Sequence, residues 1–351
     1  MTGRALRTGL LAATIVFGIG GHAAAMDAEH KLAIGVRADA APFSFAKGGS
    51  LIKGGRGGDG LRRASDGRQY DGYVVRICAA VMRRLQRDYG PSLQVEVVEV
   101  NAADRFEKLR SGEIDILCDP ATITDARVGE FTTTMPVYLS GISFAAHRPE
   151  SMVSRGSFCK SIVGIVGGTT AEFSGVYDIL VSGEWPRFRD ALQAMLNGQQ
   201  WETIEDTDCA AANAAGKQTA GPQRPVREGP PIRTFDTHVE LARAFCAGEI
   251  LYYVADVEII QRNLDEACEG AYVLAKETYA DQRYGIFART DADRARGNAP
   301  LILEFYSVLA QLVYASPSIL IDAFNETFAG YDASRKLNLL YWSLLGPFKL
   351  R

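Results

Sequence analysis

Histidine is scarce in this chain, with four residues in 351, and no two cysteines stand in a Cys-x-x-Cys spacing. His22 falls in the N-terminal leader, while His30, His147 and His238 are far apart in sequence, so no metal centre or cofactor is expected. Excess positive charge is lacking as well. The 38 Lys and Arg against 42 Asp and Glu leave a formal charge of -4, which argues against nucleic acid or an anionic membrane as a partner. Beyond the leader no run is both long and apolar enough for a membrane helix. The most apolar stretch, 301–320, contains Glu304, Gln311 and Pro317 and reads as a buried helix. A nucleophile-base pair of the Ser-His kind is also missing.

What is present begins with Arg4 and Arg7, an apolar run from Leu10 to Ile19, and small residues up to Ala25. This layout predicts a secretory signal over 1–25, cleaved after Ala25, and hence a periplasmic protein. As a membrane anchor the run is too short for a bilayer of roughly 30 Å. Removing it takes the formal charge to -6 and leaves about 326 residues, more than a single core usually serves, so two domains are expected. Six cysteines remain, at 78, 118, 159, 209, 246 and 268. An even number in an oxidising compartment permits disulfides, and the sequence alone does not choose among the pairings.

Short strands alternate with amphipathic helices. Strands are predicted over 31–37, 93–100 and 114–118, with helices over 74–85 and from Asp104 through Leu109, the latter stopped by Gly112. That order implies parallel sheets covered by helices. The pattern of Arg105 to Asp119, RFEKLRSGEIDILCD, recurs in Leu241 to Asp256, LARAFCAGEILYYVAD: a helix, Gly-Glu-Ile, then an apolar strand ending at an aspartate. Two lobes of similar build follow. Val137 to Ala146 and Tyr284 to Ala288 read as strands crossing between them. The Gly- and Arg-rich stretch 47–69 and the Ala-, Gly- and Pro-rich stretch 210–231 read as surface insertions. In open parallel sheets ligands sit beyond the carboxyl ends of strands, which directs attention to the residues after Leu117 and after Val254.

There the segment Cys118-Asp-Pro-Ala-Thr-Ile-Thr-Asp-Ala-Arg127 places Arg127 in the first turn of a helix capped by Thr124, a setting suited to an anion. A surface arginine paired with a nearby acid is the competing reading. With this element, with Gly167-Gly-Thr-Thr170 and with the late Val254-Ala-Asp256, the chain resembles the family 3 extracellular solute-binding proteins, the polar amino-acid binders of ABC transporters. LAIGVRADAAPFSF, YDGYVVRICAAV, PVYLSGISF and YGIFA extend the resemblance over most of the mature chain.

The resemblance implies a two-lobed periplasmic-binding-protein-like (type II) α/β fold. Lobe 1 would comprise 26–145 completed by 284–351, with lobe 2 over 146–283. It implies that Arg127 clamps a ligand carboxylate, that Thr122 and the Pro120 carbonyl lie near its amine, and that Tyr73 packs on its side chain. Thr169 and Thr170 would add second-lobe contacts to the carboxylate, and Asp256 would pair with the ammonium. For Tyr73 a place in the core, and for Asp256 a role as helix N-cap, are the bland alternatives. Ala40 and Arg76 depart from the family pattern, which usually has an aromatic and an aspartate there. Arg37 and Asp119 flank the expected cleft and could read a ligand side chain or pair with each other. The lobe assignment implies disulfides within lobes, Cys246 with Cys268 and Cys159 with Cys209, while Cys78 and Cys118 either bridge or stay as free cysteines buried in apolar runs. The function implied is that of a monomeric, periplasmic substrate-binding component that closes on an amino-acid-like zwitterion and presents it to a membrane permease. A dehydratase on the same fold, with Asp119 as its acid, is the enzymatic alternative, and a ligand-sensing input protein is the third.

Overall fold

The computed structural model describes residues 30–48, 60–147, 162–181, 232–275, 278–289, 298–315 and 318–328. The predicted signal 1–25, the insertion 210–231, and Cys159 and Cys209 lie outside the described residues. Fourteen strands are described: β1 (His30–Arg37), β2 (Asp39–Ala40), β3 (Ser44–Ala46), β4 (Leu61–Arg62), β5 (Gln69–Asp71), β6 (Leu93–Val100), β7 (Ile116–Thr122), β8 (Phe131–Thr133), β9 (Tyr138–His147), β10 (Val163–Val166), β11 (Ile232–Phe235), β12 (Tyr252–Asp256), β13 (Tyr272–Leu274) and β14 (Ala280–Arg289). The helices are α1 (Tyr73–Tyr89), α2 (Arg105–Ser111), α3 (Asp125–Val128), α4 (Val176–Val181), α5 (His238–Cys246), α6 (Val257–Cys268), α7 (Ala299–Ala310) and α8 (Ser318–Thr327).

The main sheet runs β11-β10-β12-β9-β14-β7-β1-β6, with β13 beside β9 and β8 beside β14. On one side of the central β9/β14 pair, β7, β1 and β6 are mutually parallel. On the other, β12, β10 and β11 are parallel in the same arrangement. Each crossing strand runs antiparallel to its inner neighbour. The fold is therefore two similar parallel units joined by two long antiparallel strands, in the two-lobed type II arrangement. Parallel strands are buried on both faces, and β1 and β10 are accordingly near-continuous apolar runs, LAIGV and VGIV.

Each side has its own core. Helix α1 lays Val74, Ile77, Cys78, Val81 and Leu85 against Leu32, Ile34 and Ile116 of the sheet, and Phe305 and Phe324 close that core from α7 and α8. In the other lobe Phe245 and Leu241 of α5 pack with Ile260 and Leu264 of α6 over Tyr253, and Ile142, Val163 and Val254 line the opposite face. Burying one such side chain is worth about 1.5–3 kcal/mol, so these stripes dominate the folding energy.

Several sequence expectations change. Strand β7 does not end at Cys118 but runs to Thr122, because Ala121 and Thr122 pair with Gly285 and Tyr284. The register shifts between Gly285 and Phe287, so Cys118, Asp119 and Pro120 bulge from the ladder. The stretch 301–320 is not one helix: α7 ends at Ala310, a π-helical turn follows, and α8 begins at Ser318. Within 47–69, residues 49–59 lie outside the described residues, but the remainder is not merely a surface loop. Leu61 and Gln69 belong to a small antiparallel sheet ordered β2-β3-β5-β4. Its arginines answer acids of this chain, Arg68 pairing with Glu99 at 2.7 Å and Arg63 pairing with Asp66.

Among the described residues two disulfides staple the lobes internally. Cys78 of α1 joins Cys118 of β7 with Cα atoms 6.3 Å apart, and Cys246 joins Cys268 across the α5 and α6 ends at 5.8 Å. Peptide mapping of unreduced protein is expected to recover both links. Replacing Cys246 and Cys268 together by alanine should lower stability by about 3 kcal/mol for a loop of this length. An unchanged urea midpoint would count against the second bridge.

Candidate functional site

The two lobes meet over the ends of β7, β10 and β12, where a dense group of charged side chains is buried. Arg37, at the end of β1, makes a double hydrogen bond to Asp39 at 2.9 and 2.7 Å. Burial opposes ionisation of Asp39, yet the Arg37 guanidinium holds its carboxyl down at about 2. The same carboxylate accepts the backbone N–H of His238, the first residue of α5, at 2.9 Å, an acid at a helix N-terminus from across the cleft. His238 is itself buried; burial and nearby Arg37 lower its pKa to about 3, so it is neutral at pH 7.

Arg105, on α2, sits 3.1 Å from Asp119 and donates to the Ala102 and Gly168 carbonyls. The Gly168 contact crosses between lobes at 3.2 Å. Gly168 has φ +72°, and a Cβ there would stand 2.5 Å from the Ala102 carbonyl oxygen, so only glycine lets the two backbones approach this closely. Arg37 and Asp119 thus do not pair with each other: each has found a different partner. Burial raises the Asp119 pKa, with Arg105 and Arg37 opposing.

Arg127 differs from these arginines. Thr124 caps α3 and accepts the Arg127 N–H at 3.4 Å, which fixes the base of the side chain. Its guanidinium donates to the Thr122 carbonyl at 2.7 Å and lies 4.3 Å from the centre of the Phe106 ring. Among the described residues it has no carboxylate partner. Burial and then repulsion from Arg105 draw its pKa down to about 9, which leaves it charged at pH 7.

Asp256 is the complementary case on the other lobe. It occupies the N-cap position of α6 but makes no cap hydrogen bond. It is 8% exposed, and its Oδ1 has no hydrogen-bond partner among the described residues. Burial raises its pKa to about 6. Two residues on, Glu258 accepts from Tyr138 and Ser140 of β9, and burial raises it to about 7.

The remaining expected residues fall as follows. Thr122 and Thr170, from opposite lobes, both donate to the Gln282 carboxamide oxygen at 2.7 Å. Thr169 turns its hydroxyl back to the Val166 carbonyl at 2.7 Å, and the adjacent Gly168 N–H is taken by Glu172. Pro120 lies buried in the β7 bulge. Tyr73 is enclosed by Phe43, Tyr138 and Phe328, with its hydroxyl donating to the Val137 carbonyl at 2.8 Å. Arg76 is paired with Asp71 below the same helix terminus. Sequence reasoning passed over Arg105, Gln282 and Glu258. Arg105 and Glu258 sit in helical patterns where charge reads as solvated surface, and nothing local marked Gln282.

A sequence model of the bacterial extracellular solute-binding proteins, family 3, matches residues 62–342. No curated protein matches the chain. Among solved structures, the P235GK mutant of ArgBP from T. maritima is 17% identical with a TM-score of 0.55, over 85% of this chain and 95% of that one. The amino acid ABC transporter substrate-binding protein AbpA from Streptococcus pneumoniae, bound to L-arginine, is 12% identical with a TM-score of 0.52 over 85% and 95%. The ancestral amino acid-binding protein AncCDT-1, a precursor of cyclohexadienyl dehydratase, is 18% identical with a TM-score of 0.51, also over 85% and 95%. With a family match over well more than half its length, the chain belongs to the bacterial extracellular solute-binding proteins, family 3.

Proposed function

We propose that this protein binds an amino acid, or a related small zwitterion, by closure of its two lobes and serves as the periplasmic substrate-binding component of an ABC transporter. One observation carries the reading: in a cluster where Arg37 and Arg105 each have a carboxylate partner, Arg127 on one lobe has none among the described residues, and Asp256 on the other holds a buried oxygen without a hydrogen-bond partner among them. Leaving opposite charges uncompensated costs free energy that a ligand bearing a carboxylate and an ammonium would recover. Because the two groups sit on opposite lobes, such a ligand favours the closed state over the open one. The ABC-transporter role is supported by the family and by the transporter-associated structural relatives. The acid a dehydratase would need is Asp119, which lies 3.1 Å from Arg105 and whose pKa burial raises; the twenty-amino-acid panel below, read for turnover as well as binding, separates that reading from simple binding. Lobe 1 is taken as 26–145 with 284–351 and lobe 2 as 146–283, the crossings falling at β9 and β14.

A panel of the twenty standard L-amino acids, titrated calorimetrically, tests the function. Arg127→Ala should weaken the tightest of them by roughly a hundred-fold or more without unfolding the protein; unchanged affinity would remove the central assignment. An ammonium favours ionised Asp256, so affinity should fall as the pH drops below about 6, and the acid lacking the α-amino group should show no such fall.

The raised Asp256 pKa also has a sign for stability. Its contribution is fully present below the ordinary aspartate value of 3.8 and is lost as pH rises through about 6. Asp256→Asn should therefore stabilise the ligand-free protein at pH 8, by up to roughly 3 kcal/mol, and change little at pH 3. Thermal melts showing equal effects at both pH values would contradict this.

A further inference from the structure

Gln282 lies on β14, opposite Ser140 of β9, and its side chain is buried with 4% exposure. Its carboxamide oxygen is 2.7 Å from Thr122 Oγ1 of one lobe and 2.7 Å from Thr170 Oγ1 of the other. Both contacts are within ordinary hydrogen-bond length. The carboxamide turns its oxygen to both hydroxyls, so the oxygen accepts, and both threonines donate. A hydroxyl has one proton and two lone pairs. With its proton spent on Gln282, each threonine has only lone pairs left to offer. It can accept a hydrogen bond from a ligand but cannot donate one to a carboxylate.

We propose that Gln282 is a specificity-determining residue of this site, which by taking the hydroxyl protons of Thr122 and Thr170 together turns both into acceptors and so selects ligands that donate, an ammonium above all. The proposal rests on the amino-acid reading above and sharpens it. It moves Thr170 from carboxylate recognition to amine recognition. An ammonium has three N–H bonds to place, and the acceptors assigned to them are the Asp256 carboxylate and the two threonine oxygens. The carboxylate is left to Arg127, the donor-only group of the first lobe. Gln282 acts through the threonines and is a positioning residue. Its place on a crossing strand gives the two lobes one shared acceptor, so the polarity of both hydroxyls is set together when the lobes meet.

The test compares wild type, Gln282→Met and Gln282→Glu. Methionine keeps the length of the side chain and removes the acceptor oxygen; glutamate keeps an acceptor and has no amide donor. Calorimetry would use the tightest of the twenty L-amino acids and the same compound without its α-amino group. Gln282→Met is expected to reduce the preference for the amine-bearing compound roughly ten-fold or more, and Gln282→Glu to keep it. A Met variant with the wild-type ratio, or a Glu variant that loses the ratio as Met does, would overturn the proposal. Should Gln282→Met not fold, Thr170→Val removes one of the two acceptors and should reduce the same ratio; an unchanged ratio would again be fatal. A ligand-free arm keeps this separate from the broader function. Neutron diffraction from deuterated crystals should place a deuteron of each threonine hydroxyl toward the Gln282 oxygen. Carboxamide deuterons pointing at the threonines instead would refute the assignment even if no amino acid bound.

Discussion

The pairing of β9 with β14 is the contact on which the rest of this molecule is built. Residues Tyr138 to Ile142 run antiparallel to Tyr284 to Ala280, and every other strand of the main sheet is reached outward from that pair. Strands that cross between lobes are the natural place for a hinge, because small dihedral changes in a few residues can move whole units. They are also placed to report on the cleft. Gln282 and Ser140 stand opposite each other on the two strands, one accepting from Thr122 and Thr170 and the other donating to Glu258.

The second constraint is the cost of buried charge. Taken one at a time, Arg37, Arg105, Asp39, Asp119 and Asp256 would each carry a large desolvation cost as buried ions. The fold answers most of this by pairing: Arg37 with Asp39, Arg105 with Asp119, and Asp39 again with the start of α5. One of these contacts, Asp39 with the start of α5, spans the lobes, as does Arg105 with the Gly168 carbonyl. Among the described residues, Arg127 has no carboxylate partner and Asp256 keeps a buried oxygen without a hydrogen bond, one charge of each sign on opposite lobes. Pairing elsewhere thus concentrates the residual electrostatic demand where a zwitterion would meet it.

Much was legible in the residues themselves. The near-continuous apolar runs of β1 and β10, the amphipathic α1, the Thr124 cap before Arg127 and the left-handed Gly112 after α2 are local consequences of side-chain pattern and backbone sterics. The recurrence of helix, Gly-Glu-Ile and strand carried the two similar units, and the cysteine positions were consistent with bridges inside each. None of these depends on anything farther away than a few turns of chain, apart from the disulfides, whose order of elements made them geometrically accessible.

Which polar groups answer which was decided by the tertiary structure alone. Arg37 chose Asp39 over Asp119, and Asp119 fell to Arg105, because the β7 bulge and the approach of Gly168 to Ala102 set distances that no spacing along the chain encodes. Gln282 joined two threonines, 160 and 112 residues away, through a register of β14 that exists only after both lobes have formed. Tyr73 went to the aromatic cluster for the same reason, since its surroundings come from residues as distant as Phe328. The sequence determined the elements, their order and the resemblance to a binding-protein family. The assembled fold determined which charges pair with which, because hydrogen-bond and Coulomb energies turn on ångström distances between residues that only folding brings together.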